Sequence, residues 1–490
     1  MTDKLRQLVR SSVIYGLGNY GVKVVGFLLI PIYTRYLNPA DYGVMSLVST
    51  FGGALFIFLN LGQSTALFRF YYEDHTPGGR ERVIAGSLWI VLLVSTPLTL
   101  IALAASRPVA AILLGNGALA SFVAIGIVTV AFRQLLRLPF AVLRADVKDT
   151  QYATWSIARS ALSLVLAVAL VVGARMGVRG VLVSSLLAEA TCCAILVPRI
   201  AGALRSGWAG KEMQSQLAFG LALVPGMMAS FVLDLSDRFF LRHYSNLSEV
   251  GLYSLGYRFA EIISFIVAAV QLAWPQFLFS NLRLPNAKEL YSYATTYYLG
   301  GMLFFILGLS TLAPETLRVM AAPAFQRAAI VVPVIALAYL CEGLCYVGTI
   351  GIALQRRPIV RSAAVGVAAL VNLALNVLLI PPYGMLGAAW ATLIAFMLQT
   401  VILVTVALGY YPIPYQWGRF AQLLGSAGAL YCIGMLVTPA SLPLAIATKV
   451  LVVLSFPAVL WLVGFFEQAE LEHVRRLRVG LRKRLATSRA

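Results

Sequence analysis

Arg35-Tyr-Leu-Asn-Pro-Ala-Asp41-Tyr-Gly43 and Arg242-His-Tyr-Ser-Asn-Leu-Ser-Glu249-Val-Gly251 are two versions of one pattern, about 207 positions apart. Each has a basic residue, an aromatic, an Asn, an acid and a Gly in the same order. Each also joins two apolar runs: Ser11–Tyr33 and Val44–Leu61 around the first copy, Leu217–Leu241 and Val250–Leu278 around the second. A run of about 18 or more mostly apolar residues is long enough to cross a bilayer as a helix. Working outward, the first half adds Val83–Ala104, Ala118–Leu138, Trp155–Val172 and Val178–Val197. The second adds Tyr291–Leu312, Ala328–Ala353, Val360–Ile380, Gly384–Leu408, Phe420–Val437 and Leu442–Phe466.

A second pair of matches strengthens the repeat. Gly177-Val-Arg-Gly180 and Gly384-Met-Leu-Gly387 stand at the same offset. Six helices separate the copies, so both enter the membrane the same way round, which implies two bundles related by an axis along the membrane normal. The expected fold is all-α and polytopic, with about 14 transmembrane helices in two lobes around a central cavity. The expected parts are an N-terminal lobe over 1–200, a C-terminal lobe over 217–408, two further spans over 417–466 and a cytoplasmic tail over 467–490.

Composition agrees with a membrane protein. Of 490 residues, 60% are hydrophobic and 12% charged, and the mean hydropathy is +0.85. The 38 basic residues against 19 acidic ones are dispersed between apolar runs, which argues against nucleic-acid binding. They fit topology instead. With both termini cytoplasmic, about 26 basic residues fall in cytoplasmic segments and about nine in the opposite ones, as the positive-inside rule requires. Met1–Arg10 reads as the start of a retained first helix, because no A-x-A-like cleavage site follows. In the tail, Val474, Leu477, Leu481 and Leu485 at helical spacing among arginines suggest an amphipathic helix on the inner leaflet. Loops no longer than roughly 20 residues leave no room for a soluble catalytic domain. Three His and five Cys, the latter all in apolar stretches, offer no metal or catalytic framework, so no enzyme and no cofactor are expected.

Gly16-Leu-Gly18, Pro31-Ile-Tyr-Thr-Arg35-Tyr-Leu and Asp41-Tyr-Gly43 resemble bacterial polysaccharide flippases of the Wzx type, members of the multidrug/oligosaccharidyl-lipid/polysaccharide exporter superfamily. Leu379-Ile-Pro-Pro-Tyr-Gly384-Met-Leu-Gly387-Ala-Ala-Trp-Ala-Thr392, preceded by Asn372 and Asn376, resembles that family's eleventh and twelfth helices. The resemblance implies alternating access and outward movement of an undecaprenyl-pyrophosphate-linked oligosaccharide across the bacterial inner membrane. The product would serve O-antigen, capsule or exopolysaccharide synthesis, and a polymerase and a chain-length regulator are the implied partners besides membrane lipids. The alternatives are a multidrug or lipid II exporter of the same superfamily, or a membrane polysaccharide polymerase or ligase, for which the outer loops are too short.

Ionisable groups at bilayer depth cost at least ~2.5–3.5 kcal/mol each, so they face a cavity or a partner. Lys23 and Arg258, at mid-depth in corresponding parts of the two halves, are expected to form a cationic cavity with Arg159 and to attract the cargo's pyrophosphate and sugar acids. The structural alternative pairs them, as in Arg258 with Glu261. Counting from the outer ends of their spans, Asp234, Asn372 and Thr392 lie at one depth and Asp237 and Asn376 at a second. These oxygens suit Na⁺ or proton-linked coupling. The resemblance places sodium between the seventh, eleventh and twelfth helices, here at Asp234, Asn372, Asn376 and Thr392. The competing reading has Asp234 or Asp237 paired with Arg238 or Arg242. Glu189 and Glu342, also at mid-span, are expected to bridge helices.

Overall fold

The computed structural model describes residues 26–470 except 74, 75, 77, 356, 438, 440, 468 and 469; Lys23 and the basic residues of the tail therefore lie outside the described residues. Among the described residues the chain is helical, with no strand. The first half comprises α1 (Ile30–Tyr36), α2 (Pro39–Glu73), α3 (Gly79–Ala104), α4 (Ser106–Leu114), α5 (Gly117–Ala145), α6 (Asp149–Gly173) and α7 (Gly177–Ser206). The second begins with α8 (Gly210–Leu235), α9 (Asp237–Tyr244), α10 (Leu247–Ala260), α11 (Ile263–Asn281) and α12 (Ala287–Met320). It continues with α13 (Pro323–Val347), α14 (Ile350–Leu354), α15 (Pro358–Tyr410), α16 (Trp417–Leu436) and α17 (Leu442–Leu462).

Eleven helices among the described residues are long and apolar enough to cross a membrane. One of them, α15, is two helices meeting at Gly384, whose φ of 54° and ψ of −131° are not helical. With that division, with α16 and with the first span, the passes are consistent with the fourteen expected. Three local departures are informative. The run Leu217–Leu241 breaks at Ser236 into α8 and α9, and Val250–Leu278 breaks after Ala260 into α10 and α11. The stretch after Ala104, read from sequence as a loop, contains α4.

The repeated motif is a helix start. The Asn38 side chain accepts from the Asp41 amide (2.9 Å), and the Asp41 carboxylate accepts from the Asn38 amide (3.2 Å), closing a capping box ahead of α2. Asn246 likewise accepts from the Glu249 amide (3.0 Å) ahead of α10. Both acids sit on the positive end of a helix dipole. These two starts then cross each other. A methyl on Gly43 would overlap the Leu247 carbonyl, and one on Gly251 would overlap the Pro39 carbonyl. One turn further, the hydroxyls of Ser46 and Ser254 meet at 2.6 Å. Equivalent residues of the two halves thus touch across a pseudo-two-fold axis. The flanking ends are exchanged as well: Thr34 donates to the Met320 carbonyl (3.5 Å) and Arg242 to the Leu114 carbonyl (3.1 Å). The other repeated pair is also explained. Gly177 and Gly384 have φ of 56° and 54°, a backbone that a Cβ disfavours, and each turns the chain back on the preceding helix.

The halves meet again toward the opposite ends of these helices. Gln134 donates to Gln63 (2.9 Å), Ser87 donates to Gln216 (2.6 Å), and Gln216 donates to the Val83 carbonyl (2.8 Å). Gln63 completes the relay by donating to the Ser87 carbonyl. All four side chains are buried, which makes their satisfied bonds structural requirements. α8 is therefore tied to α2, α3 and α5 near its start, while Ser236 just past its end reaches Asn372 of α15 (3.4 Å). Elsewhere, Lys449 of α17 and Glu315 of α12 form a buried ion pair at 2.7 Å.

Removing one member of that pair leaves the other charge uncompensated. Lys449→Met is expected to cost about 3–5 kcal/mol of stability, and Lys449→Met/Glu315→Leu to recover most of it. Gln216→Leu is expected to cost about 1–3 kcal/mol by orphaning Ser87 and the relay behind it. Thermal unfolding in detergent measures all three. In a background without the five native cysteines, Gly43→Val is expected to raise labelling of Ser254→Cys by an impermeant thiol reagent. Unchanged labelling would mean the crossing does not seal that end.

Candidate functional site

Two connected cavities lie between the helices. The larger, about 760 Å³, is enclosed mainly by α2, α5, α6 and α7. Among the described residues its wall carries Arg133, Arg137 and Arg144 from α5, Arg159 from α6 and Arg258 from α10, against a single carboxylate, Glu189 of α7. The smaller, about 450 Å³, has the opposite character: Asp234, Glu261 and Glu342 line it beside Arg238 and Arg258. Met45, Ser49 and Arg258 belong to both walls, so Arg258 stands where the two spaces join.

Arg258 donates to the Tyr42 hydroxyl (3.4 Å), and a Cβ on Gly26 would lie 3.5 Å from its guanidinium. The chain at Gly26 therefore lies directly beside it. Arg159, the second cation expected from sequence, is shared between roles. It bonds Glu189 at 3.3 Å, as Arg133 does at 3.2 Å, so one carboxylate bridges two guanidiniums on different helices. Glu189 is the helix-bridging residue expected of it. Lys23 falls outside the described residues.

Arg133, Arg137 and Arg144 were not picked out from the sequence, although Arg133 and Arg137 fall near the end of the run Ala118–Leu138. α5 extends to Ala145, so Arg133 lies about 18 Å of helix rise inside its end. Their spacing of four and seven residues, which puts them on one face, was the available signal. Arg137 sits 5.5 Å over the ring of Phe56 and Arg144 5.7 Å over Phe68, both on α2. The aromatic face of Phe56 supports the Arg137 guanidinium without neutralising it.

The residues proposed for cation coupling are divided differently from the depth reading. Asp237, not Asp234, joins Thr392, whose hydroxyl donates to it at 3.4 Å. Asp237 also takes a hydrogen bond from Tyr253 and an ion pair from Arg238 (3.1 Å). Asn376 donates to Asn372 (2.9 Å), which also accepts from Ser236. Within this cluster the Asn372 amide nitrogen and the Asn376 amide oxygen have no hydrogen-bond partner among the described residues. Asp234 instead faces the smaller cavity with Glu261 and Glu342. The helix break at Ser236 is the physical reason, because it turns residues 234 and 237 toward different neighbours. The pairing of Asp237 with Arg238 was the competing reading, and Arg242 goes to the Leu114 carbonyl instead.

Asp237 is thus a structural anchor as well as a site candidate. Asp237→Leu is expected to lose about 3–5 kcal/mol by stranding the buried Arg238 charge. Asp234→Asn is expected to leave thermal unfolding nearly unchanged. Equal destabilisation by the two substitutions would contradict this division.

The comparisons with known proteins follow the same lines. The family model described as polysaccharide biosynthesis protein matches residues 32–277, half of the chain. The succinoglycan biosynthesis transport protein ExoT of Rhizobium meliloti is 25% identical over 321 residues, covering 63% of this chain and 61% of that relative. A protein of the Lsg locus of Haemophilus influenzae is 24% identical over 292 residues, 56% of this chain and 67% of the relative. Among solved structures, the lipid II flippase MurJ in an inward closed conformation superposes with a TM-score of 0.65 at 13% identity, over 92% of this chain and 99% of that one. An outward-facing multidrug resistance MATE transporter of the MOP superfamily superposes with a TM-score of 0.56 at 14% identity, over 85% and 96%. The chain belongs to the polysaccharide biosynthesis protein family and shares the multi-pass helical fold of the MurJ and MATE structures.

Proposed function

We propose that this protein is a flippase that moves a polyprenyl-pyrophosphate-linked oligosaccharide from the cytoplasmic to the outer leaflet by alternating access. The observation that carries this reading is the larger cavity: about 760 Å³ within the membrane helices, with five guanidinium groups and one carboxylate on its wall. A polar glycan cannot cross hydrocarbon, because its hydroxyls would lose water without replacement. A hydrated cationic cavity removes that barrier for the sugar and the pyrophosphate, while the polyprenyl tail stays in lipid. Undecaprenol is the carrier that the family resemblance implies, and O-antigen, capsule or exopolysaccharide synthesis is the setting.

With both termini cytoplasmic, the Gly43–Gly251 crossing lies at the outer end and the arginine-lined cavity extends toward the cytoplasm. This conformation would receive cargo from inside. Opening the crossing and closing the inner end would release it. An inside-negative potential favours export of anions by roughly 2.3 kcal/mol per charge per 100 mV. A coupling cation, Na⁺ or H⁺, would act in the second half, at Asp234 facing the smaller cavity or at the Asp237–Thr392–Asn372–Asn376 cluster. The transported unit would then pass to a polymerase and a chain-length regulator. Multidrug export fits a cationic cavity poorly, since cationic drugs would be repelled from it.

The test is the fate of carrier-linked sugar in cells lacking the protein, read by access from the periplasmic face. Full-length units are expected to accumulate on the cytoplasmic side and to be released by wild type. Lys23→Ala/Arg258→Ala at normal expression is expected to restore about a tenth of that or less, the loss of roughly one charge-assisted contact. Normal externalisation without the protein would overturn the flippase reading. Asp234→Asn, or replacement of Na⁺, with no effect on transport would remove the coupling role.

A further inference from the structure

We propose that the glycan carried is acidic, and that its carboxylate or phosphate groups bind along the guanidiniums of α5, apart from the carrier pyrophosphate, which binds at Arg258. This rests on the flippase reading and narrows its cargo. The argument begins with position. Arg133, Arg137 and Arg144 occupy one face of α5 and extend over roughly 16 Å of helix rise. Arg258 stands at the far end of the same cavity, on a helix of the other half, where the two cavities join. The cationic surface is therefore elongated, a shape suited to groups distributed along a chain and larger than a pyrophosphate alone requires.

Charge balance points the same way. Glu189 is shared by Arg133 and Arg159, and it is the single carboxylate among the described residues of the wall. Arg137 makes no ion pair among the described residues; its guanidinium is held on the Phe56 ring and faces the cavity. Topological bias does not account for it. The positive-inside rule concerns loops, whereas placing such a cation inside a spanning helix carries an insertion cost. Nor is the whole interior basic, because the smaller cavity presents three carboxylates beside its two arginines. The excess is confined to the larger cavity.

α6 adds groups that suit the neutral part of a sugar. Ser156, Ser160 and Ser163 recur at helical spacing on α6 and line the same space. Ser160 gives its proton to the Ser156 carbonyl (2.9 Å), which leaves its oxygen as an acceptor toward the cavity. Guanidinium groups and hydroxyl acceptors lining one cavity form the surface an oligosaccharide of uronic acids or phosphorylated sugars would contact. Charge-assisted bonds from Arg to carboxylate or phosphate are the stronger of the two sets.

The experiment uses the full-length protein in nanodiscs and three probes: farnesyl pyrophosphate, an oligogalacturonate, and a neutral malto-oligosaccharide of equal length, with binding measured by calorimetry at two salt concentrations. The oligogalacturonate is expected to bind, more weakly at high salt, and the neutral sugar to bind at least about tenfold more weakly. Arg137→Gln is expected to weaken oligogalacturonate by about tenfold while changing farnesyl pyrophosphate by less than about twofold, with Arg137→Lys intermediate and equally well folded. Arg258→Gln is expected to do the reverse. Equal binding of the charged and neutral sugars, or equal loss of both anionic probes in Arg137→Gln, would overturn the acidic-cargo proposal while leaving the flippase reading intact. Binding of none of the three probes would count against both.

Discussion

The crossing of α2 and α10 at Gly43 and Gly251 is the contact on which the rest of the architecture depends. Two helix starts, each with an Asn cap and an acid in its first turn, approach so closely that neither glycine has room for a methyl group. Because the partners are equivalent residues of a repeat, the contact defines a pseudo-two-fold axis. Ser46 against Ser254 and the exchanged ends of α1 and α9 lie around the same axis. Closing the bundle at this end leaves the interior space toward the other, where the halves are joined by the glutamine relay and the start of α8. Among the described residues no other pair of helices packs more extensively than α2 and α10, so this crossing is the main tie between the halves. Small residues allow close approach in a membrane, where no hydrophobic force drives helices together.

Within this frame the cost of burying charge organises the interior. Three solutions are used. Lys449 and Glu315 neutralise each other inside the second half, away from the cavities, and serve to dock α17 on α12. Asp237 and Arg238 do the same at the helix break, with Tyr253 and Thr392 completing the shell. The arginines of the larger cavity instead line it, Arg133 and Arg159 sharing one carboxylate and Arg137 resting on the Phe56 ring. The asymmetry between the halves is chemical and not architectural. The repeat supplies similar scaffolds, and the polar residues on them have diverged, leaving a basic cavity in the first half and an acidic one in the second.

Much of this was legible along the chain. Apolar run lengths and the two repeated motifs carried the all-helical membrane fold, because a spanning helix must be apolar over about 20 residues whatever its neighbours. The value of Arg159 and Arg258 as cavity residues was also readable, since a charge within such a run has few places to go. Arg133 and Arg137 were hidden by an ambiguity of boundary: near the end of a span, a basic residue reads equally as loop or helix until the helix length is known. Asp234 and Asp237 were assigned to layers by depth, which assumes an unbroken helix, and the break at Ser236 changes which of them meets Thr392. The Gln134–Gln63–Ser87–Gln216 relay left only scattered glutamines in apolar runs.

The sequence by itself determined which segments lie in the membrane, that the chain is built of two related halves, and which charges must be accommodated. Those are local properties: hydropathy, spacing and the caps of single helices depend on neighbouring residues. The tertiary structure alone decided the partners: Glu189 between two arginines, Asp237 with Arg238, Lys449 with Glu315, and Gly43 on the backbone of the other half. The reason is that partners here are set by how helices distant in sequence rotate and cross, and rotations of a few tens of degrees exchange a lipid-facing side chain for one in the cavity.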